Sequence, residues 1–211
     1  MIDIACIGIL VADVIAKPVD SIPKAGLLER ISSIKIFSGG CAMNAGIDMA
    51  KIGLKVAVLG KVGKDSFGDF LEGELVKNNI DVRGISKDDK EQTSASVVLS
   101  ASSGERSFLH TVGANASFCE ADVNYDVIKE SNIVFVGGTM LMDKFDGAEC
   151  AEVLKKCREM GKTTVLDTAW DATGRWMKIL EPCMPYIDYF IPSIDECDAE
   201  HDSDRFVQHQ C

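Results

Sequence analysis

The chain has 211 residues, 46% of them hydrophobic and 26% charged, which is enough apolar content for a sizeable core and excludes global disorder. Its formal net charge of −11 creates a field that repels nucleic acid and anionic membrane surfaces. MIDIACIGIL has no basic leader region, and no apolar run approaches the ~20 residues that span a bilayer, so a cytoplasmic location is expected.

IDIACIGIL (2–10) is an Ile-rich run of the kind found in a buried strand. VIAKPV (14–19) and ISSIKIF (31–37) alternate, as strands with one wet face do. Residues 41–52 fit a helix with Ala42, Ala45, Gly46 and Met49 on one face, stopped by Gly53. KVAVLGKV (55–62) reads as a buried strand, and 65–79 as an amphipathic helix with Asp65 as its N-cap. SASVVLS (94–100) and RSFLHTV (106–112) flank the turn ASSGE as a hairpin. IVFVGG (133–138) is a strand, 147–161 a helix closed by Gly161, and TTVLD (163–167) and YFIPS (189–193) are further strands.

The alternation of strand and helix predicts a parallel sheet covered by helices. The segments within 14–37 and 94–112 do not fit that sheet and predict a small antiparallel layer beside it. Residues 1–197 are therefore expected to form one α/β domain, and 198–211 an acidic, irregular tail, frayed or weakly helical. Eight cysteines without CxxC spacing are expected to be reduced thiols, with Cys150 and Cys157 on one helix face.

In such sheets ligands bind at the carboxyl ends of strands. Asp13, Gly39, Gly40, the stretch Gly60 to Gly63, Gly137, Gly138 and Asp167 fall at or near such ends. Neither GxxxxGK[ST] nor GxGxxG follows a strand, so a P-loop or dinucleotide site lacks support. In GGCAMNAGIDMAKIG (39–53) two glycines precede a helix without a capping side chain. They let the backbone approach a ligand, while Asn44 and Asp13 supply amide and carboxylate groups suited to a polyol. Asn44 is equally a capping or backbone-bonding residue. His110 reads as a partly exposed strand residue, Trp170 and Trp176 as packing residues, and His209 with Cys211 as a poor metal pair.

The block GGCAMNAGIDMAKIGLKVAVLGKVGKDSFGDFL (39–71) resembles the N-terminal signature of the PfkB (ribokinase-like) carbohydrate kinases. GILVAD (8–13), GERSFLHTVGAN (104–115), DTAWDATGRW (167–176) and PSIDE (192–196) resemble further stretches of that family. The resemblance covers about residues 2–197 and implies a three-layer parallel-sheet fold with a small β lid, C-terminally truncated. It implies that Asp13, Gly39, Gly40 and Asn44 hold sugar hydroxyls and that Asn115 lines the site. It also implies that Glu196 belongs to the element organising Mg²⁺ and phosphate, although Ser193 stands where the family has Asn.

The implied reaction is Mg²⁺-assisted transfer of the ATP γ-phosphate to a sugar hydroxyl, in an enzyme whose lid often forms dimers. The family's catalytic aspartate lies in a Gly-Ala-Gly-Asp motif that these 211 residues do not contain. No catalytic residue is therefore assigned, and a marginally stable, inactive fragment that binds ATP weakly is expected. A non-catalytic sugar- or nucleoside-binding module is the alternative.

Overall fold

The structure, a computed structural model, describes residues 1–201, with side chains through Cys197. Six strands form a parallel sheet: β1 (Ile2–Gly8), β4 (Val56–Gly63), β5 (Asp81–Asp88), β8 (Ser131–Thr139), β9 (Thr163–Thr168) and β10 (Tyr189–Phe190). Their order is β10-β9-β8-β1-β4-β5, so β1 lies inside, in register with Val58 on one side of Cys6 and Phe135 on the other.

Strand β1 shows how the apolar run makes three layers. Successive side chains point to opposite faces. Ile4 and Cys6 pack with Met43 and Ile47 of α1 (Cys41–Lys51) and with Leu71 and Leu75 of α2 (Ser66–Lys77). Ala5 and Ile7 pack in the other core, with Val127 and Ile128 of α4 (Tyr125–Glu130) and Val153 and Leu154 of α5 (Ala148–Glu159). Helix α5 buries Cys150, Val153, Leu154 and Cys157, one stripe at helical spacing. Truncating Leu154, which is fully buried, would cost about 2–5 kcal/mol. Asp65 caps α2 as expected, accepting from Gly68 N at 2.8 Å.

The second sheet has four strands in the order β3-β2-β6-β7: β2 (Val11–Lys17), β3 (Ser33–Gly39), β6 (Ala95–Ser100) and β7 (Arg106–Thr111). Each hairpin is antiparallel, but the join between them, β2 against β6, is parallel. Residues 31 and 32 lie outside β3, which instead runs straight into the glycines before α1. Polar β5 forms the far edge of the large sheet, where only Gly84 is buried.

At the other edge the expected strand 189–193 shortens to Tyr189–Phe190. Pro192 has no N–H to offer a ladder, and a helix α7 (Ile194–His201) begins two residues later. Helix α7 takes in the first four tail positions, 198–201, and 202–211, with His209 and Cys211, lie outside the described residues. No helix among the described residues is long and apolar enough to cross a membrane.

Candidate functional site

The site is built where the chain passes between the two sheets. After β1, a short linker through Ile9 and Leu10 leads into β2, which carries Asp13. Asp13 pairs with Phe37 across the hairpin, and its carboxylate leans toward the end of β3. A Cβ on Gly39 would stand 2.2 Å from Asp13 Oδ2, so any other residue there would displace the carboxylate. Gly40, the N-cap of α1, has φ +95°, and a Cβ on it would stand 2.4 Å from the Ile9 carbonyl. The two glycines therefore have different reasons to be glycine. One clears space for Asp13, and the other turns the chain beside the β1–β2 linker.

No side chain caps α1, and its helical ladder begins with Asn44 N donating to Gly40 O at 2.9 Å. Its first N–H groups thus remain available, at the positive end of an 11-residue helix. The Asn44 side chain is exposed and makes no hydrogen bond among the described residues, so it is not a cap. Asp13, Gly39 and Gly40 are brought to one place, and Asn44 stands one helical turn further along α1.

Asn115 belongs behind that group. It is 3% exposed, in the short helix α3 (Ala114–Ser117), and both ends of its amide are occupied by Leu10. Its Oδ1 accepts from Leu10 N at 3.3 Å and its Nδ2 donates to Leu10 O at 3.0 Å. It fixes the linker that aims Asp13.

Glu196 lies on the other flank. It is 9% exposed, and its Oε2 accepts from Ser193 N at 2.8 Å and from Thr168 Oγ1 at 3.1 Å. Ser193 Oγ accepts from Glu196 N at 3.4 Å, completing a reciprocal cap on α7. Asp167, at the end of β9, is pushed up to about 6 by burial and then by the negative charge of Glu196. The Cys41 thiol, first in α1, is pushed up to about 11 by burial and then by Asp167 and Glu196. The three residues Gly39 to Cys41 thus touch the sphere of Asp13 on one side and that of Asp167 and Glu196 on the other.

Two carboxylates whose mutual repulsion already raises one of them suit a hard divalent cation. Mg²⁺ commonly takes one or two carboxylates and completes its shell with water and phosphate. Asp167 and Glu196 are a pair of carboxylates close enough for one to raise the other. Glu196 would offer Oε1, because Oε2 is occupied.

The loop after β9 owes its shape to Asp171, which is 4% exposed. Its carboxylate accepts from Thr173 N at 2.9 Å, Trp176 N at 3.0 Å and Arg175 N. Trp176 joins the core, while Trp170 is 57% exposed and packs edge-on to it at 5.4 Å. Both behave as packing residues. Sequence reading missed the proximity of Asp167 to Glu196 and that of Cys41 to both. Ser193-x-x-Glu196 is a capping box legible in PSIDE, and it would have placed Glu196 at a helix start.

Comparison with known proteins agrees with this geometry. The family model described as pfkB family carbohydrate kinase matches residues 1–204. An uncharacterized sugar kinase of Pyrococcus horikoshii is 30% identical over 155 residues, covering 74% of this chain and 48% of that protein. Probable fructokinase-3 of Arabidopsis thaliana is 29% identical over 149 residues, 70% of this chain and 41% of its own length. The structure of the Pyrococcus horikoshii kinase in complex with ATP overlays with a TM-score of 0.76 at 27% identity, over 95% of this chain and 66% of that one. Arabidopsis thaliana ribokinase complexed with ribose and ATP, at 20% identity, shares the fold with a TM-score of 0.77, over 94% of this chain and 62% of that one. The chain spans less than half the length of these two curated relatives and about two thirds of these two solved structures. The small four-stranded sheet is the lid of a ribokinase-like fold, and the chain belongs to the pfkB family of carbohydrate kinases.

Proposed function

We propose that this chain is the sugar-binding part of an ATP-dependent carbohydrate kinase. The observation that carries the reading is the Asp13 carboxylate set against bare Gly39, one residue before the uncapped start of α1. Asp13 accepts two substrate hydroxyls, Asn44 contributes its free amide, and the N–H groups following Gly40 meet a substrate oxygen. Asn115 positions Leu10 and through it Asp13. Glu196, with Asp167, holds Mg²⁺, which when bound screens the charge of the transferring phosphate.

A sugar hydroxyl held this way is aimed for in-line attack, but the residues that would take its proton and stabilise the transferring group are not among the motifs of this sequence. The chain alone therefore binds sugar, binds ATP weakly and turns it over slowly or not at all. That same observation favours a second reading, a sugar- or nucleoside-binding module without catalysis. The lid also presents Ile34, Ile36, Val97 and Leu109 as exposed apolar side chains, which suits pairing of two lids.

Calorimetric titration with fructose and ribose tests the binding. Saturable heat that is lost in Asp13→Ala supports the reading, and absence of binding by folded wild-type chain refutes it. ATP turnover by the same samples separates the kinase from the module.

A further inference from the structure

The lid's two faces differ in kind. Strand register places Phe37, Asp13, Ser96 and His110 in one row across all four strands, with their side chains on the same face. The next rows on that face bring Lys35 with Ile15, Val98 and Phe108, and then Lys17 with Ser100 and Arg106. Every charged side chain of the four strands therefore lies on the Asp13 face, and all but Asp13 are basic or imidazole. Contact of Arg106 with Phe108, 5.9 Å from guanidinium to ring centre, agrees with that shared face. The opposite face carries Ile34, Ile36, Val14, Val97 and Leu109 and no charge. In a chain of net charge −11, a cationic surface opposite the sugar-binding carboxylate is a local reversal.

His110 ends that row on the far side of Ser96 from Asp13, two strands away, or about 10 Å between backbones. Its Nδ1 is 3.1 Å from Ser96 Oγ, and Ser96 is 7% exposed, so the ring is tethered by a buried hydroxyl. The remaining ring nitrogen, Nε2, has no protein partner among the described residues, and the residue is exposed. The space between Asp13 and His110 suits a six-carbon chain with one end at each.

We propose that His110, oriented by Ser96, determines specificity by binding an anionic group, a carboxylate or a phosphate, at the end of the sugar remote from Asp13. This rests on the sugar-binding reading above. Lys35, on the same face beside the row, adds to the attraction. A ring N–H donated to an anionic oxygen is a charge-assisted hydrogen bond, stronger than one to a neutral hydroxyl.

The test titrates the full chain with D-glucose, D-gluconate and D-glucose 6-phosphate. One anionic sugar is expected to bind at least about tenfold more tightly than glucose, and which one identifies the group. His110→Gln, at an exposed position, is expected to bring that ratio close to one, and Ser96→Ala to reduce it part of the way. Equal affinity of the wild-type chain for neutral and anionic sugars overturns the proposal but leaves the sugar-binding reading intact. So does a preference that survives His110→Gln. Failure of all three ligands, and of fructose and ribose, to bind folded chain overturns both.

Discussion

Asn115 grips Leu10 by both backbone atoms, its carbonyl accepting from the Leu10 N–H at 3.3 Å and its amide donating to the Leu10 carbonyl at 3.0 Å. A residue 105 positions away thereby behaves as a strand partner for a linker that has none. Asn115→Ala leaves two buried backbone groups unpaired, at a cost of about 1–3 kcal/mol each before relaxation. We expect a urea midpoint clearly below wild type, together with weaker sugar binding because Asp13 is no longer aimed. Unchanged stability would show that water replaces the amide.

Asp13→Asn keeps the shape of the side chain and removes its charge. It is expected to weaken sugar affinity by about tenfold or more, the worth of a charge-assisted hydrogen bond, without lowering thermal stability. Gly39→Ala should do similar harm from the other side, since its methyl would contact the carboxylate. Calorimetry on both variants checks this. A Gly39→Ala chain that binds sugar normally would show that Asp13 does not use the position seen here.

Gly40→Ala combines a left-handed backbone angle with a methyl pressed on the Ile9 carbonyl. The angle alone costs on the order of 1–3 kcal/mol for a residue other than glycine. Thermal unfolding is expected to shift down by several degrees. An unshifted transition would mean that α1 restarts at a different residue.

Asp167 gives the protein a pH dependence of stability with a definite sign. Its folded value is about 6 and its ordinary value 3.8, so between those pH values the folded state holds more protons than the unfolded state. Its contribution is greatest below about pH 4 and is lost as pH rises through 6. Asp146, raised to about 6 by burial, acts in the same direction. Asp167→Asn should therefore flatten the fall in urea midpoint between pH 5 and 7.5. A wild-type midpoint that rises across this range would contradict the assignment.

Millimolar Mg²⁺ should relieve the same repulsion. It is expected to raise the unfolding temperature at pH 8 more than at pH 5, where Asp167 is protonated and competes with the cation. The increment should vanish in Glu196→Gln. Equal increments at both pH values would place the cation elsewhere.

How much of this was legible depended on the range of the signal. Runs such as IVFVGG and the stripe of Cys150, Val153, Leu154 and Cys157 carry their periodicity within themselves, and they fold as read. Strand β5 escaped because an edge strand buries little and its sequence is polar. Helix α4, with six residues, is too short to show a helical period. The parallel join of β2 to β6 could not be read from either hairpin, because register between distant segments is a tertiary property. Asp13, Gly39, Gly40 and Asn44 were recognisable as a group. Asn115 was visible as a residue, but its partner at Leu10 was not, since nothing local links them.

The capping contact of Asp65 has a consequence beyond its helix. The same carboxylate accepts from Thr93 N and Thr93 Oγ1, each at 2.7 Å, where the chain climbs into β6. At the opposite side of the lid, β3 passes through Gly39 and Gly40 directly into α1. The lid is therefore bolted to the starts of two helices, α1 and α2, and its middle strands are laddered to each other. A tilt of the lid on ligand arrival would be felt at both helix starts together, making them a single mechanical readout of whether the cleft is filled.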